Sequence, residues 1–414
     1  MTRLGLALHR TFHAVHHSRN FRLFFLGQAV SVTGTWVQYV ASSWLVLRLT
    51  GSGVALGVVT ALSFAPVLVF GAWAGVLADR YDKRRILLGT QAAFAVLALA
   101  LWGLVAADAV RLWMVYGLAF LQGVVTAVDT PARQSFFAEM VSVEHLPNAV
   151  SLNSAVMTGT RIVGPAIAGL LIAGAGLDVC FLVNGLSYLA VIGGLLAMRP
   201  EELHRTPAPR EGGGLRAGLR YVWTTPELRT PLVVMAVIFT LSFNFQVLMP
   251  LLAERSFQGD ARTLGWLLSF MGIGSLVGAL GMARGARPNP VRLMRSAAAL
   301  GALSIAAAVM PSLPTELVTL VVLGFVSIVF MITANTTLQL TARPEMRGRV
   351  MALYSVVFLG GTPIGAPIAG WTAEWLGPRW GLALGGLVAV GVGLVGLRAL
   401  RHRAGVRALE PAAA

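Results

Sequence analysis

The sequence predicts an all-α membrane protein with twelve transmembrane helices in two pseudo-symmetric bundles of six. Three observations predict this class: a low content of charged residues, a series of long apolar stretches, and a similarity between the two halves of the chain. Charged residues make up 12% of the 414-residue chain, whereas about 25% is usual in soluble domains. This low share indicates a protein whose surface mostly faces lipid.

A helix needs about 20 apolar residues to cross a bilayer, and twelve stretches of the chain reach roughly that length. They are too long and too continuously apolar for the strands of a membrane barrel. The predicted spans cover residues 23–47, 54–78, 86–107, 112–133, 148–173, 179–198, 231–252, 263–283, 291–310, 315–341, 349–373 and 380–398.

The basic residues predict the orientation of these spans. With the N-terminus inside, 26 of the 32 Lys and Arg residues lie in inner segments, 5 lie in outer loops, and Arg161 lies within a span. Because inner loops of membrane proteins are enriched in basic residues, both termini are predicted to be cytoplasmic. The same distribution explains the net charge of +15 without a nucleic-acid partner, since no separate basic domain is present.

A polar interruption rich in Pro and Gly, RTPAPREGGG, divides the spans into six and six. The predicted domains are a cytoplasmic N-terminal segment (1–22), an N-terminal six-helix bundle (23–198), a cytoplasmic linker (199–230), a C-terminal six-helix bundle (231–398) and a cytoplasmic tail (399–414).

The fifth and eleventh spans resemble each other, and they hold the same place in each half. Residues 148–169 and 349–370 match at 8 of 22 positions without a gap. The matched pairs include Gly159/Gly360, Gly164/Gly365 and Gly169/Gly370. Duplicated six-helix halves with a binding site between them are a transporter architecture.

The loop after the second span, GVLADRYDKRR (75–85), carries six ionisable residues in seven positions. It resembles the signature loop of the major facilitator superfamily, Gly-x-Leu-Ala-Asp-Arg-x-Gly-Arg/Lys-Arg/Lys, except that Asp82 stands where the family has Gly. Further segments, among them DTPARQSFFAEMV (129–141) and RGRVMALY (347–354), resemble the exporter branch that includes the enterobactin exporter and the macrolide efflux proteins.

This resemblance implies the major facilitator fold and alternating access. Asp79 would make a contact across the seam between the halves that breaks on opening, and Arg80, Lys83 and Arg84 would be its basic companions. The alternative is a loop whose basic residues only anchor the inner membrane surface. Met282 stands at the position of Asp79 in the second half, so the predicted gate is asymmetric.

Two charged residues lie apart from the membrane surface, Asp129 in the fourth span and Arg161 in the fifth. A charge in mid-bilayer costs about 2.5–3.5 kcal/mol or more, so it usually pairs and usually has a function. The rise of the two helices places both residues at similar depth. We therefore expect an Asp129–Arg161 ion pair that protonation of Asp129 releases; the alternative is that Asp129 or Thr130 caps a helical segment opened by Pro131.

Polar residues form stripes at helical spacing on the first and fourth spans. In the superfamily these two helices, with the seventh and the tenth, line the substrate cavity. The candidate cavity residues are Gln28, Ser31, Thr35, Gln38, Gln122, Thr126, Arg133, Asn244, Gln246, Asn335 and Gln339. The alternative is that these side chains only form hydrogen bonds between helices.

No Walker loop, metal cluster or nucleophile triad is found in the sequence, so we expect neither an enzyme nor a cofactor or metal. The expected protein is a secondary active transporter of the bacterial inner membrane, which exports a small drug-like or siderophore-like molecule by proton antiport. Its partners would be this substrate, protons and lipid, and the superfamily usually works as a monomer. The alternatives are an importer or facilitator, and a membrane scaffold or sensor that does not transport.

Overall fold

The computed structural model describes residues 17–142, 144–204, 215–283 and 289–409, and most of them are helical. The helices are α1 (Arg19–Thr50), α2 (Gly53–Arg80), α3 (Lys83–Ala106), α4 (Leu112–Glu139), α5 (Leu146–Gly174), α6 (Leu177–Leu196), α7 (Leu215–Thr224), α8 (Pro226–Leu241), α9 (Phe245–Leu251), α10 (Ala261–Ala283), α11 (Pro290–Val309), α12 (Leu313–Thr341), α13 (Arg347–Trp375) and α14 (Pro378–Leu409).

Within the described residues, eleven stretches are long and apolar enough to cross a membrane. They correspond to α2–α6, to α8 with α9, and to α10–α14. The remaining predicted span is α1, a helix of 32 residues whose polar stripe lowers its hydropathy. The predicted all-helical membrane class is therefore confirmed.

Large apolar side chains lie on the outside of these helices. Trp73 and Trp375 are each 72% exposed, and Leu170 and Val395 are each 66% exposed. Large apolar side chains with this much exposure are unfavourable in water, whereas lipid solvates them readily. The exposed surface therefore fits a chain surrounded by lipid.

Contacts divide the chain into two compact units. Unit 1 takes in the described residues of Met1–Gly51, Leu62–Arg210 and Asp260–Ser269. Unit 2 takes in those of Ser52–Ala61, Glu211–Gly259 and Phe270–Ala414. These units differ from the predicted bundles by two short segments, because the start of α2 belongs to unit 2 and the start of α10 to unit 1.

Paired glycines allow close helix packing at equivalent places in the two units. In unit 1 a Cβ atom on Gly164 would collide with Trp36 of α1, and one on Gly169 would press against the start of α10. In unit 2 a Cβ atom on Gly365 would collide with the Thr240 carbonyl of α8, and one on Gly370 would collide with the start of α2. The pairs Gly164/Gly365 and Gly169/Gly370 of the repeat thus allow close helix contacts in both units.

The seventh predicted span, 231–252, is not one continuous helix. It breaks between α8 and α9, and the hydroxyl of Ser242 donates to the Gly385 carbonyl (2.6 Å) at the break. The Asn244 amide donates to the Thr240 carbonyl (2.7 Å), so the broken turn keeps its backbone acceptors satisfied. Hydropathy could not reveal this break, because the residues on both sides of it are apolar.

Asp82 explains the departure from the family loop. Its side chain is the N-cap of α3 and accepts a hydrogen bond from the Arg85 backbone N–H (3.2 Å). Aspartate is among the strongest N-cap residues. Asn289 caps α11 in unit 2 in the same way, through the Val291 N–H (2.8 Å).

Candidate functional site

Unit 1 contains a cavity of about 620 Å³. It is lined by side chains of α1, α3, α4, α5 and α6. Seven of the residues predicted from the sequence line it: Gln28, Ser31, Thr35, Gln122, Thr126, Asp129 and Arg133. The structure therefore brings the polar stripes of the first and fourth spans to one cavity.

The charged centre of this cavity is a pair one helical turn apart on α4. Asp129 is 5% exposed, and its Oδ2 accepts hydrogen bonds from Arg133 Nε (2.8 Å) and Nη2 (2.5 Å). The i, i+4 spacing places the two side chains on the same face of the helix. The remaining guanidinium nitrogen, Nη1, donates to Gln28 Oε1 on α1.

The other carboxylate oxygen of Asp129 is bound by α3. Thr90 Oγ1 donates to Asp129 Oδ1 at 2.7 Å, and Gln91 Nε2 donates to it at 2.9 Å. Both donors are buried, and the Asp129 carboxylate accepts four hydrogen bonds in total. A charge with this many donors is stable in a buried site, and protonation of Asp129 would weaken every one of them.

The predicted Asp129–Arg161 ion pair is wrong, because the partner of Asp129 is Arg133. The guanidinium carbon of Arg161 lies 5.3 Å from the centre of the Trp36 ring, and the Arg161 side chain is exposed. Helical rise gives the depth of a side chain but not the direction in which it points, so it could not distinguish these two arginines. The alternative that Pro131 opens a new helical segment is wrong too, because Pro131 lies inside α4.

A second polar network joins α1, α4 and α6 beside the cavity. Gln38 Nε2 donates to Gln122 Oε1 (3.2 Å), and Asn184 Nδ2 donates to Gln38 Oε1 (2.6 Å). Thr35 Oγ1 and the Tyr188 hydroxyl lie 3.4 Å apart. Gln38 therefore holds helices together and is not among the side chains that line the cavity.

Apolar and aromatic side chains form the rest of the cavity wall. The rings of Phe94 and Tyr188 are stacked, with centroids 5.4 Å apart. Phe137 and Met157 also line the cavity. Apolar walls with a few convergent polar groups are the usual composition of a small-molecule site.

The predicted gating residues lie at one end of unit 1. The side chain of Asp79 is outside the described part of the structure, and Arg80 is exposed. Lys83 Nζ forms a 2.7 Å ion pair with Glu139 Oε1 at the end of α4. Arg84 Nε donates to the Leu195 carbonyl (2.7 Å) at the end of α6. Lys83 and Arg84 thus bind helix ends within unit 1, and the gating role of the loop stays a prediction.

The candidate residues of unit 2 lie in a different environment. Asn244 closes the break before α9, Gln246 is half-buried on α9, and Gln339 Nε2 donates to Asn335 Oδ1 (2.8 Å) along α12. None of these four is among the residues that line the unit 1 cavity. Aromatic rings also cluster in this unit: Phe239, Phe243, Phe245, Phe330, Tyr354 and Phe358.

The residues that α3 and α6 contribute were not predicted from the sequence. Thr90 and Gln91 bind Asp129, and Asn184 and Tyr188 support the second network. The available signal was polar side chains at adjacent or i, i+4 positions within otherwise apolar spans. Among the described residues, no group of three His, Cys, Asp or Glu side chains could hold a metal ion.

Comparison with known proteins places this architecture in a family. A family model described as transmembrane secretion effector matches residues 11–412. The multidrug efflux pump Tap of Mycolicibacterium fortuitum is 31% identical over 83% of this chain and 87% of its own. The staphyloferrin A transporter of Staphylococcus aureus is 27% identical over 63% of this chain and 66% of its own.

The macrolide efflux protein A of Streptococcus pyogenes is 24% identical over 91% of this chain and 94% of its own. A crystal structure of a mutant of the peptide transporter POT, in complex with alafosfalin, matches with a TM-score of 0.75 at 12% identity, over 93% of this chain and 95% of that one. The fold is therefore that of a multi-pass transporter. The chain belongs to the transmembrane secretion effector family of the major facilitator superfamily.

Proposed function

We propose that this protein exports a small amphipathic organic molecule across the bacterial inner membrane by alternating access, driven by proton antiport. It works as a monomer with both termini in the cytoplasm. The observation that carries the proposal is the buried Asp129–Arg133 pair in the wall of the cavity, because it joins a titratable carboxylate to the space a substrate would occupy.

The size and lining of the cavity support a drug-sized substrate. Pockets for such molecules usually have volumes of about 300–1,000 Å³, and this one has about 620 Å³. Its aromatic wall suits an apolar body and its polar groups suit a charged or hydrogen-bonding end. The efflux pumps for drugs and macrolides among its relatives, and the staphyloferrin A transporter, support the same class.

The sign of the charge supports exchange of a cation for a proton. With Asp129 ionised, the Asp129–Arg133 pair is neutral, and a cationic substrate meets no repulsion. With Asp129 protonated, Arg133 keeps an uncompensated positive charge that repels a cation. Proton binding and cation binding therefore weaken each other, and such reciprocal coupling is what antiport requires.

The test measures proton movement in everted membrane vesicles with an acidic interior. Lipophilic cations, macrolides and siderophores are added in turn to vesicles that contain the wild type, Asp129→Asn or Glu202→Gln. We expect lipophilic cations to collapse the pH gradient with the wild type. Glu202→Gln is the matched control, because its exposed carboxylate pairs with Arg199 away from the cavity and should leave the signal unchanged.

Asp129→Asn should lose the signal, because an amide cannot take up and release a proton. If this variant transports at every pH like the wild type, the coupling role of Asp129 is wrong. Accumulation of a compound without proton movement would keep export and remove antiport. Extrusion of the compound from preloaded everted vesicles would instead favour the importer.

A further inference from the structure

Unit 2 contains a buried acid that the cavity does not use. Glu316 lies in the first turn of α12 and is 0% exposed. Neither of its carboxylate oxygens has a hydrogen-bond partner among the described residues. By contrast, the Asp129 carboxylate accepts four hydrogen bonds in a site of similar burial.

The cation that acts on this acid, Arg379, makes its contacts with other groups. Arg379, at the start of α14, is close enough to act electrostatically on Glu316. Its Nη1 donates to the Ala308 carbonyl at the end of α11 (3.1 Å), and its guanidinium carbon lies 5.7 Å from the centre of the Phe257 ring. The arginine is thus held by a carbonyl and a ring rather than by the neighbouring carboxyl group.

The other charges on the helices packed against α12 lie near helix ends. At the starts of α8, α11 and α13, which are on the predicted inner side, they are Glu227, Arg229, Arg292, Arg295, Arg347 and Arg349. Glu374, near the other end of α13, pairs with Arg255, and Arg262 at the start of α10 belongs to unit 1. Glu316 is on the predicted outer side, so Arg379 is the charge within unit 2 that bears on it.

A neutral carboxyl group fits these surroundings and an ionised one does not. An ionised carboxylate without donors in a buried site costs far more than a neutral polar group, and such a group usually takes up a proton instead. The position in the first turn of a helix favours a negative charge only modestly. Because the Glu316 carboxyl group is buried without hydrogen-bond donors among the described residues, its neutral form is the more stable one.

We propose that Glu316 is a second proton-binding site, whose carboxyl group carries a proton in this conformation. The O–H bond breaks when water or the Arg379 guanidinium reaches the group. The proton then passes to water, and the remaining carboxylate pairs with Arg379. That this site contributes to transport rests on the proposed proton antiport; its protonation does not.

Infrared difference spectroscopy on the purified protein in lipid tests the protonation directly. The spectrum of the wild type at neutral pH should contain the C=O stretch of a protonated carboxyl group that the spectrum of Glu316→Gln lacks. Glu374→Gln is the matched control, because Glu374 accepts hydrogen bonds from Arg255 (2.8 Å) and the Gly53 N–H (2.6 Å) and should be ionised. With Arg379→Gln, the Glu316 band should persist to more alkaline pH.

Thermal unfolding tests whether Glu316 is neutral, independently of the infrared spectrum. Glutamine has the shape of a neutral glutamic acid, so Glu316→Gln should keep the wild-type melting temperature at neutral pH. A variant that fails to fold or melts far lower would show that the ionised acid is structural, and this would overturn the proposal. Loss of a carboxylate band instead of a protonated band in Glu316→Gln would overturn it as well.

Proton movement in everted vesicles then measures the contribution to transport. Glu316→Gln should lower the substrate-driven proton signal relative to the wild type while Glu374→Gln keeps its proton-to-substrate ratio. An unchanged proton-to-substrate ratio in Glu316→Gln would show that Glu316 does not contribute to proton-coupled transport. If the wild type itself moves no protons, antiport fails and the spectroscopic assignment of Glu316 stands by itself.

Discussion

The two units share their packing but not their chemistry. In unit 1 the Asp129–Arg133 ion pair lines the cavity, and hydrogen-bonded amide and hydroxyl side chains lie beside it. Clustered aromatic rings occur in both units, but unit 2 has a buried acid without a hydrogen-bond partner among the described residues. Glycine contacts and helix caps recur in both units. Duplication has thus kept what holds helices together, while the polar and titratable residues have diverged.

The largest effect we predict follows removal of the arginine from the charged centre of unit 1. Arg133→Gln leaves Asp129 buried with only its α3 donors, and breaking a buried ion pair costs about 3–5 kcal/mol. We expect a clear fall in melting temperature and loss of transport. Thermal unfolding in detergent and uptake into everted vesicles measure the two effects.

Arg161→Gln is the matched control for this prediction, since it removes an arginine of the same unit that lies over Trp36. An exposed cation–π contact contributes only about 0.5–1 kcal/mol. The double variant Asp129→Asn with Arg133→Gln should regain part of the lost stability, because no unpaired charge remains. Equal losses for Arg133→Gln and Arg161→Gln would contradict the assignment of Arg133 as the partner of Asp129.

The next largest effect tests the packing that the units share. Gly164→Ala and Gly365→Ala each place a methyl group against a neighbouring helix, α1 in unit 1 and α8 in unit 2. Overpacking of this kind typically costs about 1–3 kcal/mol. We expect the two variants to lower the melting temperature by similar amounts, and thermal unfolding of both in the same detergent measures this.

Gly159→Ala is the control, because a Cβ atom there meets nothing within 4 Å. It should be neutral or slightly stabilising, since alanine is preferred to glycine inside a helix by about 0.5–1 kcal/mol. If Gly365→Ala is as harmless as Gly159→Ala, the glycine pairs of the repeat do not share a packing role.

The fold could be predicted because lipid leaves few choices to the backbone. A chain in hydrocarbon must satisfy its own hydrogen bonds, so long apolar stretches become helices and their number follows from hydropathy. The repeat of 148–169 in 349–370 reports close packing because only glycine tolerates such short helix contacts. The break between α8 and α9 escaped prediction because a serine and an asparagine that bind backbone carbonyls look like ordinary polar residues.

The site was predictable only in part, because its contacts depend on the direction in which each helix faces within the bundle. The stripes on the first and fourth spans follow from helical spacing, and they reach the cavity. The i, i+4 spacing of Asp129 and Arg133 favours their pairing within one helix, but it does not report which way Arg161 on the next helix faces, and Arg161 lies against Trp36. Glu316 was not predicted as a site residue, because it lies at the edge of a predicted span, where an acid ordinarily reaches water.

The smallest effects we predict compare the two helix caps, Asp82 of α3 in unit 1 and Asn289 of α11 in unit 2. Replacing such a cap by alanine typically costs about 1 kcal/mol, and replacement by glycine costs only a few tenths. Asp82→Ala and Asn289→Ala should therefore destabilise the protein by similar amounts in chemical unfolding. Asp82→Gly restores the superfamily residue, and Asp82→Asn keeps the cap without the charge. Both should leave the free energy of unfolding almost unchanged. If Asp82→Asn were as destabilising as Asp82→Ala, the charge of Asp82 rather than its cap would stabilise α3, and the two caps would not share one role.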